Sequence, residues 1–337
     1  MKKTIISVAK ELNLAPSTIS KALNNKGYVK KETKDRILSY VKEVGYIPES
    51  SARILKSKHS FTLGVLFSDI SLVGLAHPFY SYVLQAFKNY VEKQSYEIIF
   101  IVSKVGDRSM TYLEWCKNKK VDGVLIVSGN LNNPNILELV NSDIYCVSTD
   151  FILPNLVTVI SDNETGIDLS IEHSLSLNRR KIDMISGPLS AIAFQIRHNH
   201  FLKRMANHER KPNIIEAEGF DLTAGFNAAV KLLESTSDRP DMIIVGSDDL
   251  AFGVIRGIES KGLKVPDDIS VIGFDDNNFA KIFTPPLTTI RQDKIMLGEV
   301  AARKLLELIR EKTPKTKEVV TVPVTLVKRE TTTMKIS

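Results

Sequence analysis

Along the first fifty residues, apolar side chains recur at helical spacing. Ile5, Val8, Ala9 and Leu12 fall at i, i+3, i+4 and i+7 and make one apolar face. Asn13-Leu14-Ala15 interrupts that pattern, and Pro16 suits the first position of a new helix, where no backbone N–H is needed. The second helix runs through Ile19 and Leu23, with Ser17, Thr18, Ser20 and Lys21 on its polar side. Asn24-Asn25-Lys26-Gly27 is turn chemistry. A third helix over about 31–43 is expected to bury Ile37, Leu38, Val41 and Val44. Three short helices with a tight second turn predict a helix-turn-helix unit over 1–46. Residues 47–60 change character. Ile47-Pro48 opens a small, polar stretch, ESSARILKSKHS, in which Leu55 is an isolated large apolar residue. This stretch is a linker with room for one or two helical turns, too short to be stable alone.

Beyond residue 61 the pattern alternates between β-rich runs and amphipathic stretches. Strands are expected at Thr62–Phe67, Glu97–Val102, Gly123–Val127, Ile144–Val147, Ile182–Ile185, Met242–Val245 and Ser270–Phe274. Helices lie between most of them, for example at 79–93, 164–176, 194–207, 222–234 and 249–261. Repeated βα alternation predicts parallel sheets with helices on both faces, and there are too many units for one small sheet. Two doubly wound α/β lobes are therefore expected, with a ligand cleft beyond the carboxyl ends of the strands.

Composition narrows the class. With 43% apolar and 25% charged residues, the 337-residue chain is globular and long enough for two or three domains. The first sixty residues hold 13 lysines and arginines against 5 carboxylates, a balance of +8. The whole chain carries +6, so the remaining 277 residues sum to −2. A basic head on a near-neutral body predicts a polyanion partner met at one end. Cys116 and Cys146 make no framework and no C-x-x-C spacing, which favours structural thiols in a reducing compartment. The first apolar residues are broken by Ser7 and ended by Lys10-Glu11, so no signal peptide is expected. No apolar run approaches the ~18 residues of a membrane span, and a cytoplasmic protein is expected.

The motifs themselves resemble the LacI/GalR transcription regulators. The resemblance is carried by TIISVAKELNLAPSTISKALNNKGYVKKETKDRIL in the head, GYIPESSARILKSK in the linker and TLGVLFSDI at the first core strand. KKVDGVLIV, ISDNETG, ISGP with Arg197 behind it, GSDDLAFGVIRGIESKGLKVPDDISVIGFDD and FTPPLTTIRQD then follow in the family's order. The resemblance implies a helix-turn-helix head, a hinge at 47–60, and a two-lobed core like a periplasmic sugar-binding protein. Its N-terminal lobe would take 61–161 plus 292–321, and its C-terminal lobe 162–291 plus 322–330.

The resemblance also implies site residues. In the head, Pro16, Ser17 and Lys21 match the positions that set operator preference. Lys21 can donate to guanine, Ser17 can donate or accept, and Pro16 can touch a thymine methyl group. Thr18, Ser20 and Asn24 match backbone-positioning residues, Tyr28 and Lys30 are candidates for further backbone contacts, and Thr4 is a further DNA-binding candidate. In the hinge, Leu55 matches a leucine that wedges into the minor groove, with Ala52, Arg53 and Lys56 around it. In the core, effector contacts would come from Asp69, His77, Phe79, Tyr80, Asp150 and Phe151 on one lobe. The other offers Ala191, Ala193, Phe194, Arg197, Phe220, Ser247, Asp248 and Asp275. Carboxylates and an arginine can hold sugar hydroxyls in pairs while aromatic faces cover the ring.

Several departures from the family pattern matter. Ala15 replaces the usual capping Ser, the loop DISLVGLAHPFY is longer than usual, and LNRRKI replaces a Gly-His turn. Ala191 and Ala193 stand where purine-binding members place polar groups, which favours a sugar or sugar derivative.

Enzyme readings are weaker. The pairs Asp248-Asp249, Asp267-Asp268 and Asp275-Asp276 more often make turns or caps than acid/base sites. His198-Asn199-His200 has the wrong spacing for a metal pair on a helix and predicts a solvated face. No phosphate-binding glycine motif or nucleophile elbow is present. The expectation is a non-enzymatic, cofactor-free repressor, a homodimer on a palindromic DNA operator, responding to a carbohydrate effector without membrane association. A catabolite-type regulator with a phosphoprotein co-repressor is the near alternative, and a sugar-binding receptor the more distant one.

Overall fold

The computed structural model describes residues 3–23, 27–46, 59–67, 74–129, 133–206 and 211–335. The chain divides into two compact units, Met1–Ser60 and Phe61–Ser337. The expectations for Asn24, Asp69 and the hinge residues Ala52, Arg53, Leu55 and Lys56 lie outside the described residues.

The first unit holds α1 (Ile5–Leu12), α2 (Pro16–Leu23) and α3 (Lys31–Glu43). Thr4 starts α1 through a reciprocal box. Its Oγ1 accepts from Ser7 N at 3.2 Å, and Ser7 Oγ accepts from Thr4 N at 2.9 Å. Asn13, in the left-handed region at φ 54°, ends the helix. Arg36 on α3 donates to Leu12 O at 2.6 Å, placing a cation where the helix dipole favours one. Ala15 has no side-chain acceptor, so α2 begins on backbone alone, with Ala15 O accepting from Thr18 N and Ile19 N. Val8, Ala9, Leu12, Ile19, Ala22, Ile37 and Tyr46 form the core. Leu38 departs from expectation at 42% exposed, because one residue beyond Ile37 turns ~100° away around the helix. Val41 and Val44 are half-buried against the same core.

The second unit begins with β1 (Thr62–Phe67), a 3-10 turn at Gly74–Ala76, α4 (Pro78–Lys93) and β2 (Glu97–Phe100). A small hairpin of β3 (Lys104–Val105) and β4 (Arg108–Ser109) precedes α5 (Tyr112–Lys119) and β5 (Gly123–Ser128). Then come α6 (Pro134–Asn141), β6 (Tyr145–Ser148) and β7 (Val157–Ser161). The chain next builds a second lobe from α7 (Asn163–Ser176), β8 (Ile182–Ser186), α8 (Ile192–Met205), β9 (Ile214–Glu216) and α9 (Leu222–Ser235). That lobe continues through β10 (Met242–Val245), α10 (Asp248–Ser260), β11 (Ser270–Asp275) and β12 (Thr288–Gln292). The chain returns to the first lobe for α11 (Lys294–Glu311) and β13 (Glu318–Val322), then ends its strands with β14 (Val324–Val327) in the second.

Each lobe is a six-stranded sheet, ordered β13-β7-β6-β5-β1-β2 in the first and β14-β12-β11-β10-β8-β9 in the second. All pairings in these two sheets are parallel except β12 with β14. In the first lobe α4 and α11 pack on one face, and α5 and α6 on the other. In the second, α9 and α10 cover one face while α7 and α8 cover the other. Burial on both faces explains the near-continuous apolar runs such as MIIV and GVLIV. Bare backbone contact sets the helix pairs. A Cβ on Gly253 would stand 1.9 Å from Leu222 O, and one on Gly298 2.3 Å from Val83 O. Besides the short hairpin β3–β4, the strands not anticipated, β7, β9 and β12 to β14, carry Thr, Ser, Glu, Arg or Gln among their apolar residues.

Candidate functional site

A cavity of about 130 Å³ lies between the two lobes of the core. Its polar walls sit at the carboxyl ends of strands, the expected place in parallel sheets. Ser128 ends β5, Thr149-Asp150 follow β6, and Ser161 ends β7. Ser247 and Asp249 follow β10, Asp275 ends β11 and Gln292 ends β12. His77, Phe79 and Tyr80 enter from the start of α4, and Ala191, Ala193, Phe194 and Arg197 from the start of α8. Leu297 comes from α11.

Arg197 is 3% exposed and held from several sides. Its Nε donates to Asn163 Oδ1 at 2.7 Å and its Nη1 to Gly246 O at 2.5 Å. Its guanidinium carbon lies 3.5 Å from the Phe274 ring centroid, a cation–π contact worth ~2 kcal/mol when desolvated. Burial pushes the guanidinium down to about 10, against the pull of Asp275, so it stays charged at neutral pH. Phe194 seats in a slot cut by two glycines. A Cβ on Gly187 would come within 2.5 Å of its ring, and one on Gly246 within 2.9 Å. The opposite wall is braced by Tyr80, whose hydroxyl donates to Asp150 Oδ1 at 3.2 Å while Gly129 N donates to Oδ2 at 3.2 Å.

The carboxylates have divergent surroundings. Asp248 is fully buried beneath the cavity, with Oδ1 2.5 Å from Thr289 Oγ1 and Oδ2 accepting from Asn277 N at 2.8 Å. Burial, then the neighbouring Asp275, pushes its carboxyl up to about 8. Asp249 accepts from Asn277 Nδ2 at 2.9 Å and is pushed up to about 6 by burial and then by Asp275. Burial also raises Asp275, with Arg197, Lys294 and His77 opposing. Asp275 at φ 132° and Asp276 at φ 49° both occupy the left-handed half of the map, a costly geometry for non-glycine residues. Lys294, at the start of α11, ties this turn across the lobes by donating to Asp275 O at 2.5 Å and Asp276 O at 3.1 Å.

The cavity brings together His77, Phe79, Tyr80, Asp150, Ala191, Ala193, Phe194, Arg197, Phe220, Ser247 and Asp275 from the sequence reading. Two expectations need correction. Phe151 is 1% exposed and packs in the first-lobe core against Gly129 and its neighbours, because the turn after β6, in which Ser148 Oγ accepts from Asp150 N and Phe151 N, carries it into apolar packing and away from the cavity. Asp248 lies under the cavity instead of lining it, and its neighbour Asp249 faces the space. Sequence reasoning missed Ser128, Thr149, Ser161, Asn163 and Gln292, although ISDNETG and FTPPLTTIRQD contain three of them. The solvated-face reading of His198-Asn199-His200 also fails at His200. That ring is 8% exposed and its Nε2 lies 2.8 Å from Asp168 Oδ1. Among the described residues no group of His, Cys, Asp or Glu could hold a metal ion.

On the head, Pro16, Ser17 and Lys21 are exposed along α2, while Thr18 and Ser20 are half-buried. The Lys21 stem passes over Gly27, whose Cβ position lies 3.5 Å from Lys21 Cδ and whose φ is +71°. Tyr28 is 86% exposed. Thr4 and Lys30 are also exposed.

Among the described residues no helix is long and apolar enough to cross a membrane. Residues 4–49 match the family model for bacterial regulatory proteins of the lacI family, and residues 171–332 the periplasmic binding protein-like domain. The ribose operon repressor of Halalkalibacterium halodurans is 32% identical over 98% of this chain and 97% of its own length. The HTH-type transcriptional repressor PurR of Aliivibrio salmonicida is 30% identical over 92% of this chain and 93% of its own. A crystal structure of the lac repressor dimer bound to operator and the anti-inducer ONPF superposes with a TM-score of 0.82. Its identity is 26%, covering 99% of this chain and 100% of that one. With the head, the two-lobed core and full-length relatives all in agreement, this chain belongs to the LacI family of bacterial transcriptional regulators.

Proposed function

We propose that the protein is a cytoplasmic, ligand-responsive repressor that binds a near-palindromic operator as a homodimer. Ser17 and Lys21 read base edges in the major groove, and Pro16 makes an apolar contact there. Thr4, Thr18, Ser20, Asn24 and Tyr28 position the sugar–phosphate backbone, and Leu55, flanked by Ala52, Arg53 and Lys56, wedges the minor groove. The effector is a small polyhydroxylated molecule of the sugar class, bound in the interlobe cavity and changing operator affinity through the lobes. Its contacts come from His77, Phe79, Tyr80, Asp150, Phe194, Arg197, Phe220, Ser247 and Asp275. Asp69, in the longer first loop, is a further candidate contact.

The observation that carries the effector reading is the cavity's chemistry. Paired carboxylates and one buried guanidinium face two phenylalanine rings, Phe194 and Phe220, with centroids 6.0 Å apart. Hydroxyl-rich rings need both kinds of wall. The ribose operon repressor among the relatives and the operator-bound dimer among the solved structures support the same assignment.

The test is selection of duplexes bound by the full chain from a random pool at a stated, near-physiological salt concentration, repeated with a panel of sugars. A palindromic consensus whose retention changes with one sugar class is expected. Sequence-blind, steeply salt-dependent binding would overturn the operator reading.

A further inference from the structure

Three chain segments cross between the lobes, and they lie side by side. β7 leads into α7 through residues 161–163, β12 into α11 through 292–294, and β13 into β14 through 322–324. Val322 pairs with Ser161 and Val324 with Gln292, while Asp162 N donates to Val322 O at 2.8 Å. The third crossover is thus bonded to the other two, and the three make one ribbon.

Each outer crossover carries one buried amide that holds a charged wall of the cavity. Asn163, 4% exposed, accepts from Arg197 Nε through Oδ1 at 2.7 Å and donates through Nδ2 to Ser161 O at 2.9 Å. Gln292, 6% exposed, donates through Nε2 to Asp275 Oδ1. Both amides also line the cavity. An amide fixes a charged group in place without cancelling its charge. A ligand that shifts Arg197 or Asp275 must therefore carry a crossover with it or leave a buried donor unpaired, and the second course is costly.

We infer that Asn163 and Gln292 are positioning residues that couple effector occupancy to the crossovers, and so set how far a bound sugar changes operator affinity. The inference rests on the cavity being the effector site of an operator-binding regulator. It separates two jobs within that cavity: Arg197 and Asp275 hold the sugar, while the two amides pass its presence to the ribbon.

The experiment measures two quantities on the full chain, with D-ribose, D-glucose, D-galactose and lactose as probes. Calorimetry gives the Kd of each sugar. Fluorescence anisotropy gives the ratio of operator Kd values with and without saturating sugar, of the order of 5–150-fold for couplings of this kind. Asn163→Ala and Gln292→Met, each shown by its melting curve to be folded, should still saturate with the active sugar while the ratio falls to within about twofold of one. Asn163→Asp, which keeps an acceptor for Arg197 Nε, should keep a ratio near that of the wild type. A wild-type ratio in either Asn163→Ala or Gln292→Met overturns the inference alone, even where the sugar binds more weakly. So does complete loss of sugar binding, which would make the amides holding groups only, and so does an equal collapse in Asn163→Asp. A wild type whose operator affinity answers to no sugar overturns both the inference and the carbohydrate reading, while operator selection judges the DNA-binding reading separately.

Discussion

Replacing Arg179 by Met should destabilise the second lobe more than any surface substitution, although Arg179 touches no candidate ligand. The residue is 1% exposed in the loop between α7 and β8 and works as a hub for backbone carbonyls. Its Nε donates to Thr333 O at 3.2 Å, its Nη1 to Asp241 O at 3.1 Å and its Nη2 to Pro266 O at 2.9 Å. Longer contacts of 3.3–3.4 Å reach Asp267 O and Asp268 O. One guanidinium thus fastens the start of β10, the loop before β11 and the C-terminal tail. Met preserves most of the stem volume, so the cavity cost is small, and the loss is that of the donors. Three short bonds at ~1–2 kcal/mol each, made to a charged donor and left without replacement, give about 3–6 kcal/mol. For a unit of 277 residues, that corresponds to a melting-temperature drop of about 6–12 °C. Differential scanning calorimetry of the full chain reads it directly. Arg179→Lys should recover less than half, since an ammonium lacks the planar five-donor fork. A drop under about 2 °C for the Met variant would refute the hub.

Three further outcomes are expected. Asp248 is held protonated in the fold, so its stabilising contribution is complete below about pH 4 and is lost as pH rises through about 8. Asp248→Asn mimics the neutral carboxyl, so its melting temperature relative to wild type should rise between about pH 4 and 8 and level off above; parallel curves would contradict this. Gly246→Ala places a Cβ 2.9 Å from Phe194, forcing that ring into the cavity. Ligand affinity should fall at least about tenfold for a stability loss of only ~1–3 kcal/mol, and calorimetry showing unchanged affinity would remove Phe194 from the wall. Lys21→Ala should cost ~1–3 kcal/mol on the selected operator and relax one base position; an equal loss on all sequences would make Lys21 a phosphate contact.

Legibility in the sequence followed periodicity. Helices α1 to α3 and the apolar strands were readable because one face, or both, repeats a simple burial pattern. Val157–Ser161 and Thr288–Gln292 were not, since hydroxyls on these strands are buried by bonding within the fold: Thr158 Oγ1 to Phe151 O at 2.8 Å, and Thr289 Oγ1 to Asp248 at 2.5 Å. A polar residue that finds its partner through tertiary contact is indistinguishable in sequence from one that faces water. The same reason hides Arg179, which sits in LNRRKI beside the exposed Arg180 and acquires meaning only from carbonyls up to 154 residues away.

The candidate site was legible to the level of motif, and blurred at the level of which neighbour faces inward. Asp248 and Asp249 are adjacent in a strand-to-helix turn capped by Ser247, whose Oγ accepts from Leu250 N at 3.4 Å. The first turn of a helix rotates successive side chains by ~100°, so one of the pair goes under the floor and the other into the cavity. Nothing in the dipeptide decides which. Gly273 decides it: a Cβ there would lie 2.4 Å from Asp248 Oδ1, so the absent side chain is the space Asp248 occupies. Asp275 and Asp276 likewise depend on a positive-φ turn that composition would assign to glycine, and that Lys294, Gln292, Arg291 and Arg329 hold in place. Strain of this kind persists only where surrounding groups over-determine it. Because Lys294 reaches the turn from the first lobe, the cavity-lining Asp275 is fixed by contacts from both lobes. A ligand that engages its carboxylate acts on a bond between lobes, which is the physical link a ligand-responsive regulator requires.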